Sequence, residues 1–306
     1  MRRLALAALV LAACAAAAWF LLPRSRELPA GAVGALAYVS DREGIPAIYW
    51  RRLPRERERR LTFGSEPVAD PAISPDGTRV AFSMNGHIGV AAAASGESTI
   101  LTLAVDWKDA QPAWLPDGRR LVVSSRRRVG EPAGLHLLEP QADGTLVRTP
   151  LTRPRASDDA SPSPSPDGTW VLFVREEHLM RVDLADGRVR RLTGGFKRER
   201  TPRFLPDGRI VCAWSEGKRH GIDRLDAEVR ARETLTEGGR FYRSLAPSPD
   251  GRFLVATLAY DMGLHPLAAL FGGERESLLL LDASGRELAE LAASARHASY
   301  SADWGR

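Results

Sequence analysis

Cysteine is nearly absent: Cys14 and Cys212 are the only two in 306 residues. One lies in an apolar leader and the other mid-strand in Ile210-Val211-Cys212-Ala213-Trp214, where a small buried residue is expected, so a disulfide framework is excluded. Histidine is sparse too. His87, His136, His178, His220, His265 and His297 never fall at i, i+4 or in His-Glu-x-x-His spacing, which excludes a helix-borne zinc site. A metal site would have to be assembled from separate parts of the chain. There is no Gly-x-Ser-x-Gly elbow, Walker loop or dinucleotide fingerprint, which removes the commonest serine-hydrolase and nucleotide-dependent chemistries. No nucleic-acid motif accompanies the net charge of +5. The basic residues are scattered, as in Arg51-Arg52 and Arg126-Arg127-Arg128, and read as a solvated surface, with attraction to anionic lipid headgroups as the alternative.

What is abundant is repetition. Pro71-Ala72-Ile73-Ser74-Pro75-Asp76-Gly77 leads into the β-rich run Arg79 to Ser83, and the unit returns around Asp117, Asp167, Asp207 and Asp250. A worn sixth copy, Ala298 to Arg306, places Asp303 at the turn position. Proline presets the first corner of a tight turn, aspartate bonds nearby backbone, and glycine accepts the positive φ. Each unit is therefore a hairpin between two strands. A second marker runs in phase: Leu61-Thr62, Leu101-Thr102, Leu151-Thr152, Leu192-Thr193 and Leu235-Thr236, with Leu291-Ala292 as a weaker sixth. It marks the end of an outer strand before the next unit begins. A repeat of about 40 to 50 residues has the length of a four-stranded propeller blade. Six copies of each marker give an all-β, six-bladed β-propeller of four-stranded blades.

Second hairpins are expected at Ser95-Gly96, Asp143-Gly144, Asp186-Gly187 and Ser284-Gly285. The first blade-like segment, with strands over 35–39, 47–50 and 59–63, lacks an inner strand, whereas the last copy has an inner strand and nothing after it. Pairing Ala298 to Ser301 with the N-terminal strands closes the ring and protects both sheet edges. Residues 35–306 form this propeller, 23–34 a short tether, and 1–22 a signal peptide or membrane anchor. Met1-Arg2-Arg3 followed by the uncharged run Leu4 to Leu22 has the form of an export signal. Leu11-Ala12-Ala13-Cys14 resembles a lipobox with Cys14 as the lipidated residue, but the run is also just long enough to span a bilayer uncleaved. Lipoprotein, signal anchor and cleaved peptide all remain open, and the first two tether the domain to a membrane.

The Pro-Asp-Gly units, together with Ser40-Asp41-Arg42-Glu43-Gly44 and the Arg-Leu-Thr strand ends, resemble the WD40-like (PD40) repeats of the TolB-type propeller family over nearly all of residues 35–306. The resemblance implies a periplasmic or other extracytoplasmic propeller that acts by binding protein. The namesake of that family carries an additional N-terminal α/β domain where this sequence has a short tether, so the namesake's own role does not follow.

The expected function is a non-enzymatic, membrane-tethered scaffold in the bacterial envelope: a monomer with an envelope protein partner, no nucleic acid and no cofactor. The alternatives are a small-ligand or glycan receptor using the central channel, and a hydrolase or lyase with acidic residues or histidines from several blades. Counting back from the inner strands puts Asp70, Asp109, Asp159 and Glu199 on one side of a channel mouth and Arg200, Arg243, Arg296 and His297 on the other. They form either a polarised, ligand-orienting mouth or ordinary ion pairs between blades. Loops 40–44, 85–87, 126–134, 175–178, 216–221 and 259–276 are expected on the same face as that mouth. The longest carries Leu264, Leu267, Leu270 and Phe271, which form either an exposed docking patch or a flap folded over blade five.

Overall fold

Each blade needs a neighbour on both sides, because alternate residues along a strand point to opposite faces and here both sets are apolar. Val80 and Phe82 of blade one pack against Ala37, Val39 and Trp50 of blade six. Ala81 and Ile88 of blade one face the other way, onto Leu121 and Val123 of blade two. The same division recurs around the ring, with Leu172 of blade three against Ile210 and Cys212 of blade four and Val255 of blade five against Leu36 and Tyr38 of blade six. The core is six wedges between blades. Cys212 is wholly buried in one of them, and burial pushes its thiol far above its usual range.

The computed structural model describes residues 28–29, 31–54, 56–103, 106–259, 276–293 and 301–305. Every regular element among them is a strand, arranged in six four-stranded antiparallel sheets. The inner strands of blades one to five are Val68–Ile73, Lys108–Trp114, Ala160–Pro164, Arg198–Phe204 and Phe241–Pro247. Blade six combines the chain's two ends: Ala302–Gly305 is its inner strand, followed outward by Gly34–Ser40, Ala47–Leu53 and Arg59–Arg60.

The ring closes as expected, but four residues later along the chain. Asp303 pairs with Ala37 and Trp304 with Leu36, so Asp303 and Trp304 are mid-strand and not a worn turn. Trp304 decides that register: its ring stacks on Phe253 at 6.3 Å and its indole N–H donates to Val33 O at 2.9 Å. The nominal inner strand Ala298 to Ser301 falls, except for Ser301, outside the described residues.

The five intact Pro-Asp-Gly units are all turns. The amide of Gly77 donates to Ser74 O at 2.8 Å, and the equivalent bonds recur at Gly118, Gly168, Gly208 and Gly251. All five glycines have positive φ, between +66° and +84°, the left-handed region that disfavours a Cβ. Ser74 reinforces its turn by donating to Asp76 Oδ1 at 2.6 Å, as do Ser165 and Ser248. Where leucine replaces serine, Leu115 and Leu205 enter the wedge cores instead.

These bonds hold the turn carboxylates below their usual range. The Ser74 hydroxyl and the Thr78 amide lower Asp76 to about 2, the Ser165 hydroxyl lowers Asp167, and the Arg209 side chain lowers Asp207. Partial burial opposes the shift at Asp117 and Asp250, yet amide and arginine contacts still lower both. A carboxylate more acidic in the folded chain stabilises it fully above its unfolded value, near pH ~4, and that contribution is lost as pH falls through the folded value. The melting temperature is therefore expected to drop steadily from pH ~4 towards pH ~2. Asp76→Asn with Asp167→Asn should flatten that slope, and an unchanged slope in the double variant would refute the linkage.

Candidate functional site

The topology gives the propeller two unlike faces. Inner strands run from the face bearing the loops between second and third strands to the face bearing the Pro-Asp-Gly turns. We call them the loop face and the turn face. The axis between them is a narrow polar channel of about 120 Å³ to which every blade contributes, including Asp70, Gln111, Ser161, Thr201, Arg243 and Ser301. Asp70, Gln111, Ser161 and Thr201 each precede a proline and have φ between +45° and +53°. They sit at the bulge where each inner strand slips register against its neighbour, a position that tolerates the missing proline N–H. At the first three, the bulge turns the amide sideways to meet the preceding blade. Asp70 N–H donates to Ser301 Oγ at 3.1 Å, Gln111 N–H to Asp70 Oδ2 at 3.3 Å, and Ser161 N–H to Gln111 Oε1 at 2.8 Å. Deeper in, burial lowers Arg203 and raises Asp303. At ~30 Å³ per water the channel has room for about four waters and is well below the ~300 Å³ of ordinary ligand pockets.

The residues expected at the mouth are dispersed. Asp70 and Arg243 line the channel. Asp109, Asp159 and Glu199 do not stand at the mouth; they are 2%, 0% and 1% exposed. Arg148 binds Asp109 through two nitrogens at 2.8 and 2.7 Å, and Arg175 binds Asp159 in the same way. Glu199 accepts from Arg232 at 2.7 Å and from the Thr193 hydroxyl at 2.6 Å. Asp159 and Glu199 are buried because they staple the start of an inner strand to the preceding blade's Leu-Thr, whereas Asp109 accepts from Ser125 of its own blade. Thr152 bonds Asp159 as Thr193 bonds Glu199, and each threonine oxygen also accepts a third-strand amide, from Leu135 or Leu179. Arg200 lies over the Phe241 ring at 4.5 Å and donates to Ser215; Arg243 pairs with Glu276 at 2.9 Å. Arg296, His297, Leu264, Leu267, Leu270, Phe271 and Cys14 lie outside the described residues.

The larger cavity is elsewhere on the loop face. A groove of about 400 Å³ lies between blades six, one and two, walled by Val39, Pro46, Pro67, Met84, Lys108 and Arg126 among others. Gly86 permits it: at φ +80°, its bare Cα leaves room for the Lys108 stem, which a Cβ there would meet at 2.4 Å. Ile45, Phe63, Leu103 and Val129 are exposed, the last three at 77%, 75% and 95%. Each belongs to a loop that supplies part of the groove wall or leads directly into it.

No family model matches the chain. A TolB homologue of Chlorobium luteolum is 31% identical over 161 residues, which is 51% of this chain and 35% of that protein. Among solved structures, TolB of Acinetobacter baumannii superposes with a TM-score of 0.68 at 17% identity, covering 89% of this chain and 66% of that one. An oligogalacturonate lyase from Vibrio parahaemolyticus superposes with a TM-score of 0.57 at 15% identity, covering 85% of this chain and 73% of that one. The chain has the propeller fold of TolB.

The match spans about a third of the curated relative's length, so what is shared with it is this architecture. Among the described residues, no group of three or more His, Cys, Asp or Glu side chains is arranged to hold a metal ion. Two features of this propeller are not evident from the sequence alone, although both leave a trace there. An acidic residue follows the Leu-Thr threonine by six or seven positions at Asp109, Asp159 and Glu199, and a polar residue precedes proline at Asp70, Gln111, Ser161 and Thr201. The arginines that neutralise the buried carboxylates leave no such pattern, because two come from outer strands and one from a second strand. Arg148→Met strands Asp109 without its counter-charge and is expected to cost about 3–5 kcal/mol in urea unfolding. Adding Asp109→Leu should recover most of that loss, whereas a double variant no more stable than the single one would contradict a purely structural pair.

Proposed function

We propose that the chain is a membrane-tethered, extracytoplasmic scaffold that binds a protein partner on its loop face. One observation carries this reading: the distribution of exposed apolar side chains. Of the seven large ones among the described residues, Ile45, Phe63, Leu103, Val129 and Phe196 are on loop-face connections, and only Val33 and Val147 are not. Four of the five gather around the groove, where a contiguous apolar patch marks an interaction site. The likeness to TolB supports an envelope location and a binding role. The non-enzymatic part of the reading rests on the three buried carboxylates, each held by arginine: Asp159 and Glu199 line neither cavity, and Asp109, at the wall of the groove, is engaged by both nitrogens of Arg148 and by the Ser125 hydroxyl.

The tether fits this orientation. Gly31 O accepts from Arg252 at 2.9 Å, and Gly34 abuts Pro249 and Gly305, so the chain enters the domain on the turn face, beside the Pro249-Asp250-Gly251 turn. Fully extended, residues 22 to 28 reach about 20 Å. A seven-residue strand alone is about 23 Å long, so an anchor within 1–22 turns the loop face away from the bilayer.

Phe63→Ser, Leu103→Ser and Val129→Ser together are expected to abolish recovery of a partner from envelope extracts with an unchanged melting temperature. Arg119→Glu with Arg209→Glu, on the turn face, should leave recovery intact. Undiminished recovery by the loop-face variant would overturn the assignment of the face.

A further inference from the structure

The charges around the groove are arranged differently from those on the rest of the loop face. On the blade three to five side, arginines are satisfied within the chain: Arg198 pairs with Glu177 at 3.2 Å, Arg219 with Glu237 at 2.6 Å and Arg240 with Glu287 at 2.6 Å. Beside the groove, loops 127–133 and 151–158 carry Arg127, Arg128, Arg153 and Arg155, all exposed. None of these four has an ion-pair partner among the described residues. Their loops offer two acidic residues, Glu131 and Asp158, and Asp158 is already engaged by Arg126 at 2.7 Å and by the Ala133 amide at 2.8 Å. The Asp158 contacts hold the two loops together, so the four exposed arginines are carried on adjoining loops, one of which walls the groove through Arg126 and Ala133. Arg127 also lies 5.9 Å from the centre of the Trp107 ring, which ties its loop to the loop bearing Leu103.

We propose that these arginines and the groove recognise an acidic polypeptide segment carrying apolar side chains: carboxylates meet Arg127, Arg128, Arg153 and Arg155 while an apolar side chain enters between Pro46, Pro67 and Met84. The proposal rests on the scaffold reading and names its partner's chemistry. Clustered like charge without internal partners costs self-repulsion in the free protein and raises both on-rate and selectivity for a complementary partner. A peptide fits better than an acidic glycan because the exposed Phe63, Leu103 and Val129 border the same groove. It fits better than a lipid surface because the tether leaves from the opposite face.

The test selects binders to the full chain in detergent micelles from a displayed library of random peptides, and titrates the winners by fluorescence anisotropy. The selected peptides are expected to be enriched in Asp and Glu together with Leu, Phe or Trp, and to weaken steeply with added salt. Arg128→Glu with Arg155→Glu should weaken them by about tenfold or more at an unchanged melting temperature, while the paired lysine variants retain binding. Winners without acidic enrichment, or equal binding by the glutamate variant, would overturn the charge assignment and leave the scaffold reading standing. If no peptide is recovered, or if oligogalacturonate binds through the same arginines instead, both fall.

Discussion

Closure of the ring is the constraint on which the rest depends. No blade has a core of its own: every apolar strand face is buried against the next blade, so six wedges require an uninterrupted circle. Four residues, Ala302–Gly305, complete it by pairing with Gly34–Ser40. Ser301 and Asp303 then reach into blade one, accepting the amides of Asp70 and Ile73, which starts the run of side-chain to amide bonds around the channel. The last strand thus does two things at once. It caps the sixth sheet, and it sets the register in which the axial polar residues meet.

The polar groups of the hub follow from the same closure. Inner strands converge on the axis, where there is little room for apolar side chains and water has limited access. Their amides must find partners nearby, and the bulge at Asp70, Gln111 and Ser161 turns the amide towards the neighbouring blade. Farther out, Asp159 and Glu199 tie inner strands to the preceding outer strands, and Asp109 is held within its own blade by Ser125 and Arg148, with arginines neutralising all three. A buried acid of this kind is costly without its partner and gives little net stability with it. Its use is positional, locking each inner strand at one height in the ring. The buried carboxylates of the seams are therefore engaged in architecture, which is why the proposed recognition is assigned to the loops.

Much of the architecture was legible in the sequence because a turn that needs Pro-Asp-Gly advertises itself five times in phase with Leu-Thr. The second hairpins at Gly96, Gly144, Gly187 and Gly285 were legible for the same reason, and all four glycines have positive φ. Blade four escaped that pattern, since its turn uses Val229 at φ +57° and no glycine. The worn sixth copy was placed four residues early because Asp303 mimics the turn aspartate, whereas the stacking of Trp304 on Phe253 is a contact between residues 51 positions apart. Of the residues expected at the charged mouth, Asp70 and Arg243 line the channel, while Asp109, Asp159 and Glu199 are buried away from it. Sequence order locates Asp109, Asp159 and Glu199 near the start of inner strands, but it does not say that Arg148, Arg175 and Arg232 will arrive to bury them. The groove was illegible as a site because its walls come from three blades, and its apolar residues occur singly, one per loop.

The most direct test of the account is hydrogen exchange on the full chain with and without a protein recovered on it from envelope extracts. Docking on the loop face predicts slower exchange in the segments 41–46, 61–67, 101–103 and 127–133, with the turns at 74–79, 115–120 and 165–170 unchanged. Protection confined to those turns, or to the axial strands, would contradict it.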